Sequence, residues 1–272
     1  QVSAEEDRDA AGTLSSVSLW QCWALVLAVA AGAQSGTWAA LTSMRPVGAL
    51  VVGGDGVVYG ATPGGVLSYN PGNRTYTRFT RVDGLAGNRV LSASLDLSGD
   101  LWFGTDGTGL SRFQTFASRF DPPVKAFEGL RTNALIFLED RLYVGTDIGI
   151  SVFLPASGRV VETYRQLGAF PRDTEVRALA LHDGRLWAAT TRGVARAELD
   201  APNLQDPDSW VSTDLTGDSS SLLVHDDTLY CGGARAAWRH DDAQGRWMQD
   251  GRVGRVDGLG TFGRPPTLVA AV

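Results

Sequence analysis

The sequence predicts an all-β protein made of four-stranded antiparallel units, the blades of a β-propeller. Three observations carry this. A five-residue pattern recurs five times: Val58-Tyr59-Gly60-Ala61-Thr62, Leu101-Trp102-Phe103-Gly104-Thr105, Leu142-Tyr143-Val144-Gly145-Thr146, Leu186-Trp187-Ala188-Ala189-Thr190 and Leu229-Tyr230-Cys231-Gly232-Gly233. Its aromatics are spaced by 43, 41, 44 and 43 residues, a period that suits one propeller blade. A turn pair precedes each aromatic: Asp55-Gly56, Ser98-Gly99, Glu139-Asp140, Asp183-Gly184 and Asp226-Asp227. Asp-Gly between apolar runs is a hairpin signal, because type I′ turns need positive φ. Finally, 33 of 272 residues are Gly and eight are Trp. No helical period of 3.6 runs through the chain after residue 40.

Each element of a blade follows from this frame. Strand A is the apolar run before the turn: Val47–Val52, Val90–Leu95, Ala134–Leu138, Val176–Leu181 and Ser221–Val224. Strand B carries the aromatic. Strand C opens at Gly65, Gly109, Gly149 and Gly193, and the fifth copy has Ala236 there. Strand D is clearest at Thr75–Phe79 and Val160–Tyr164. The blades fall at about 46–80, 90–127, 133–164, 175–213 and 220–250. A second marker agrees, since Val82-Asp83-Gly84-Leu85 returns as Val256-Asp257-Gly258-Leu259. An orphan strand D is expected at 36–41 and the inner strand A of a sixth blade at 266–272. These two orphans predict a chain holding part of a ring of six to eight blades, open or strained and prone to self-association.

Residues 1–18 are polar and read as disordered. The apolar run Cys22–Ala33, within 19–33, is 12 residues long, short of the roughly 20 that span a membrane. It ends in Ala31-Gly32-Ala33, the small-x-small pattern of a secretory cleavage site. It reads as a signal-peptide core, with a short buried helix as the alternative. Only Arg8 precedes it as a basic residue. Cleavage before Gln34 would leave Cys231 as the one thiol, with no intrachain disulfide. The mature chain, 34–272, would contain the propeller and no membrane span, and its setting would be the periplasm, the cell surface or the medium.

The net charge of −6 and the single lysine, Lys125, argue against nucleic acid as a partner. No nucleophile elbow, P-loop or zinc signature is present. No cofactor or metal is implied, because the acidic pairs Asp226-Asp227 and Asp241-Asp242 lack the spacing of a calcium loop. The expectation is therefore not an enzyme.

The stretch Asp83-Gly84-Leu85, Asn88-Arg89-Val90, then Gly99-Asp100-Leu101-Trp102-Phe103-Gly104-Thr105 and Gly109-Leu110-Ser111-Arg112-Phe113 resembles the two-component regulator propeller repeat. The segment Gly36-Thr37-Trp38 through Met44, with Val47-Gly48-Ala49-Leu50 and Gly64-Gly65-Val66, resembles the amino-terminal propeller of PorZ-like exported bacterial proteins. The resemblance implies an extracytoplasmic sensor or a secretion or surface scaffold, with further domains in the parent protein.

The D–A and B–C loops share one end of a propeller. They would present Asn88, Arg89, Thr105, Asp106, Arg131, Asn133, Thr146, Asp147, Arg172, Asp173 and Arg192. Such a mix can hydrogen-bond the hydroxyls of a glycan or the surface of an envelope protein. The competing reading is that Asp106 and Asp147 only cap turns. The rival function is a propeller enzyme of lyase-like type. It would use His182 and His225, each five residues before its aromatic, as an acid–base pair; otherwise both are solvated residues beside turns. His240 reads as a surface residue. The repeated aromatics read as packing between sheets rather than as a sugar platform.

Overall fold

The structure, a computed structural model, describes residues 43–250, 255–262 and 267–271. The signal-peptide segment and the strand expected at 36–41 lie outside the described residues.

The first blade is β1 (Ala49–Val52), β2 (Val58–Thr62), β3 (Gly65–Asn70) and β4 (Thr75–Phe79), paired in that order as an antiparallel sheet. Blades two and three share strands: β5 (Val90–Leu95), β6 (Leu101–Gln114), β7 (Arg119–Phe120), β8 (Val124–Leu138), β9 (Arg141–Thr146), β10 (Gly149–Leu154) and β11 (Arg159–Tyr164). The fourth blade is β12 (Val176–His182), β13 (Arg185–Thr190), β14 (Gly193–Glu198) and β15 (Trp210–Thr216). The fifth is β16 (Ser219–His225), β17 (Thr228–Gly233), β18 (Ala237–Asp241) and β19 (Arg246–Asp250). A hairpin of β20 (Gly258–Phe262) and β21 (Thr267–Ala271) follows. The described residues contain no α-helix, and their two short helical turns, Arg81–Asp83 and Pro207–Ser209, are 3-10.

Two features depart from the sequence expectation. The outer strand of blade two and the inner strand of blade three are one strand, β8, which joins both blades in a seven-stranded sheet. Between Phe127 and Ala134 the chain offers only Gly129 as a breaker, at φ 86°. The pairing with β6 shifts register there, between Asp106 and Thr108, and the strand runs on without turning back. The second departure concerns the inner strand of the sixth unit, expected at 266–272. Thr267–Ala271 is a strand, but β20 lies beside β16 as each inner strand lies beside the next. The anchor is Val256. It is fully buried, its N–H donates to the Gly233 carbonyl at 2.9 Å, and its carbonyl accepts from Ser220 Oγ at 2.6 Å. The chain is thus held against blade five two residues before β20 begins, so the inner place falls to Gly258–Phe262.

Turn chemistry follows the residues. Asp183 and Gly184 have φ 49° and 69°, and Asp226 and Asp227 have 45° and 55°, as a type I′ hairpin requires. The glycine that opens strand C is fixed by sterics as well as by φ. Gly193 sits at φ 141°, and a Cβ there would collide with the Leu215 carbonyl. Gly149 at φ 113° would meet the Tyr164 carbonyl in the same way.

The core is a series of layers between neighbouring blades. Tyr59, Trp102, Tyr143 and Trp187 on the B strands are 5%, 2%, 4% and 0% exposed. Tyr59 meets Phe103 and Phe113 of the next blade, with ring centroids 6.5 and 5.9 Å away. Trp102 meets Phe137 and Phe153 at 6.0 Å each. Tyr143 joins Val176 and Leu186, and Trp187 joins Leu229 and Trp247. These residues pack sheet on sheet. Tyr230, in the most diverged copy, is only half-buried.

Candidate ligand-binding face

Strand direction places the D–A and B–C loops at one end, and side chains from three blades meet there. The Arg89 guanidinium lies 3.1 Å from Asp106, and Arg131 lies 3.4 Å from the same carboxylate. Arg131 also reaches Glu175 at 3.7 Å, and its backbone N–H donates to Asp147 Oδ1 at 3.3 Å. Asn133 Nδ2 donates to Glu175 Oε1 at 3.2 Å and to the Val176 carbonyl at 3.0 Å. Further round, Arg177 pairs with Asp218 at 2.8 Å. The result is an alternating chain of cations and anions along the loop end. The pairs are partly exposed, so each contributes only about 0–1 kcal/mol to stability. Their main effect is to fix side chains at defined positions in front of solvent.

The sequence reading missed Glu175, Arg177 and Asp218. A signal existed. Arg89, Asn133 and Glu175 each stand one residue before the start of an inner apolar run, which offered Glu175, whereas Asp218 stands three residues before its run and was not legible that way.

The other expected residues separate into three groups. Thr105 and Thr146 are fully buried and offer nothing to a ligand. Their hydroxyls donate to the Gly109 and Gly149 carbonyls at 2.6 and 3.0 Å. Thr62 and Thr190 make the same bond to Gly65 and Gly193, so this threonine closes the B–C turn in four blades. Asn88 Oδ1 accepts from the Arg81 backbone at 2.7 Å and braces its own loop. Asp173 takes a two-pronged contact from Arg165, at 2.6 and 2.8 Å, which holds its carboxyl below the usual carboxylate range. Arg172 and Arg192 are exposed and form no ion pair among the described residues.

The histidines correct the expected pairing. His225 sits 3.4 Å from its neighbour Asp226. His182 is buried and its Nε2 lies 3.1 Å from Asp242 Oδ2. His240, expected at the surface, is also buried, with Nδ1 2.7 Å from Asp242 Oδ1. One carboxylate thus joins two imidazoles across blades four and five. The reason is packing: the His240 ring lies edge-on to Trp187 and Trp247, with centroids 4.8 and 5.1 Å away, inside the layer between the blades. Burial alone would raise the Asp242 carboxyl, but the hydrogen bonds to His182 and His240 outweigh it and hold it below the usual range.

No family model matches the chain, and no curated protein matches it. Solved structures do. PorZ, an essential bacterial surface component of the type-IX secretion system of Porphyromonas gingivalis, is 19% identical, with a TM-score of 0.61 over 83% of this chain and 35% of its own. The extracellular domain of the hybrid two component system BT3049 of B. thetaiotaomicron is 17% identical, with a TM-score of 0.65 over 84% of this chain and 32% of its own. Virginiamycin B lyase of Staphylococcus aureus is 11% identical, with a TM-score of 0.58 over 80% of this chain and 76% of its own. The fold is a β-propeller. The chain spans about a third of the length of PorZ and of the BT3049 domain.

Proposed function

We propose that this propeller is a non-enzymatic binding module of an exported bacterial protein, an extracytoplasmic sensor or a secretion or cell-surface scaffold. Its partner is a glycan or another envelope protein, held at the D–A and B–C loop end. The observation that carries this reading is the linked set Arg89, Asp106, Arg131, Asn133 and Glu175, drawn from three blades onto one face. Fixed donors and acceptors at a partly exposed loop end suit the hydroxyls of a glycan better than they suit bond-breaking chemistry. Likeness to an extracellular sensor domain and to a surface component supports the exported setting.

The lyase-like alternative needs His182 and His225 to cooperate. His182 is turned instead into the layer between blades, on Asp242. The discriminating experiment is a glycan array probed with the full chain. The expected result is at least one glycan whose binding is lost on Arg89→Ala and Arg131→Ala and kept in His225→Ala. Turnover of a bound ligand that disappears with His182→Ala or His225→Ala would overthrow it. Export is checked by the amino terminus of the protein made in a Gram-negative host, which is expected near Gln34.

A further inference from the structure

The C–D connection is four residues long in four blades: 71–74, 115–118, 155–158 and 242–245. In the fourth blade it is residues 199–209. An insertion in one copy of a repeat adds surface that the fold does not need, and such loops often carry function. This one is well ordered by its own contacts. Asn203 Oδ1 accepts from the Gln205 backbone at 3.0 Å, and Ser209 Oγ donates to the Asn203 carbonyl at 2.7 Å. Trp210 Nε1 donates to the Leu204 carbonyl at 2.9 Å. Leu204 and Trp210 are buried against Tyr143 and Tyr164 of the third blade.

The loop thereby walls a cleft of about 370 Å³ between blades three and four, lined by Arg141, Tyr143, Glu162, Tyr164, Asn203 and Gln205 among others. That volume lies within the range of small-molecule sites. The cleft is at the opposite end from the Arg89–Glu175 chain, beside the A–B turns: the Leu199 N–H donates to the carbonyl of Gly184 in the turn of its own blade.

Its chemistry is specific. Arg141 Nη1 stands 3.6 Å from Glu162 Oε1, too far for a hydrogen bond. Both side chains are partly exposed. Glu162 Oε2 accepts from the Tyr164 hydroxyl at 2.6 Å, which orients the carboxylate. Tyr143 is 4% exposed, lines the cleft, and has no hydrogen-bond partner for its hydroxyl among the described residues. Burial raises its pKa, so the hydroxyl keeps its proton as a donor. One cation and one anion at 3.6 Å disfavour a ligand of either net charge: an anion would face Glu162 and a cation would face Arg141. A hydroxyl can accept from the guanidinium and donate to the carboxylate at once, and a neighbouring hydroxyl can use the Tyr143 donor and the Asn203 and Gln205 amides. We infer that this cleft binds a neutral saccharide through vicinal hydroxyls, at a site separate from the loop face.

The test is an array of neutral and anionic oligosaccharides probed with the full chain, followed by titration calorimetry on the best neutral hit. Three variants report on the cleft: Arg141→Ala, Glu162→Gln and Tyr143→Phe. Glu162→Gln keeps an acceptor for Tyr164, and Tyr143→Phe removes only the hydroxyl, so both retain the packing. Hydrogen bonds to charged groups predict an affinity loss of about tenfold or more for the first two, and about threefold or more for the third. The paired variant Arg89→Ala/Arg131→Ala is expected to leave this affinity unchanged, whatever it does to binding at the other end. Capture of anionic glycans only, no neutral hit, a neutral hit indifferent to all three cleft variants, or one abolished by the loop-face pair would each overturn the inference.

Discussion

Replacing Trp187 by alanine tests whether the layers between blades hold the propeller together. The indole is fully buried, stands edge-on to Trp247 at 5.9 Å and to His240 at 4.8 Å, and carries the Arg196 guanidinium 5.4 Å from its ring centroid. Its Nε1 donates to the His182 carbonyl at 3.2 Å. Truncating a buried Trp or Phe to Ala costs about 3–5 kcal/mol, because apolar burial is lost and a cavity remains. The surrounding rings, Trp247 and His240, belong to the facing fifth blade and are themselves buried, so the site collapses poorly and the upper part of that range applies. With about 2–4 °C of midpoint per kcal/mol in a domain of this size, a loss of about 4–5 kcal/mol should lower the melting temperature by about 8–20 °C. Urea unfolding followed by tryptophan fluorescence and by far-ultraviolet circular dichroism measures the cost. Phe116→Ala is the control: that side chain is fully exposed at the turn between the second blade's C and D strands, and its change should stay within about 0.5 kcal/mol. A loss below about 1 kcal/mol for Trp187→Ala would refute the idea that the aromatic layers bind blade to blade.

Further outcomes can be checked directly. Gly193→Ala should destabilise by about 1–3 kcal/mol, since φ is 141° and the new Cβ meets the Leu215 carbonyl, while Gly54→Ala, with open space around it, should be near neutral in the same urea titration. The Asp242 carboxyl is depressed in the folded protein, so its contribution is present at neutral pH and is lost as pH falls below about 4; Asp242→Asn should remove part of the acid sensitivity of the unfolding midpoint between pH 7 and pH 3, and an unchanged acid limb would contradict the bridge to His182 and His240. Burial pushes the Cys231 thiol up to about 12, so the native protein should resist a thiol reagent that labels it at once in urea; rapid native labelling would show the layer between blades four and five to be open.

What the amino-acid sequence determines by itself here is local and repeated. Positive φ at Asp183, Gly184, Asp226 and Asp227, a glycine where strand C passes a carbonyl, and an aromatic on each B strand are demands met within a few residues, and a period near 43 repeats them along the chain, the aromatic in five copies and the glycine in four. The propeller and the buried role of Tyr59, Trp102, Tyr143 and Trp187 were therefore legible, as were Arg89, Asp106, Arg131 and Asn133 at the loop end. Only the tertiary structure decides which loops and blades meet. Asp242 finds His182 sixty residues away, Glu175 joins Arg131 and Asn133 across a blade boundary, and Leu204 lays an insertion over Tyr143 and Tyr164. It also turns His240 inward, buries Thr105 and Thr146 in their turns, runs two strands together as β8, and gives the last inner place to β20. The physical reason is the same in each case. Propensity and turn chemistry act along the chain, whereas burial, ion pairing and the walls of a cleft depend on the facing surface of the next blade, and no repeat unit carries that surface in its own sequence.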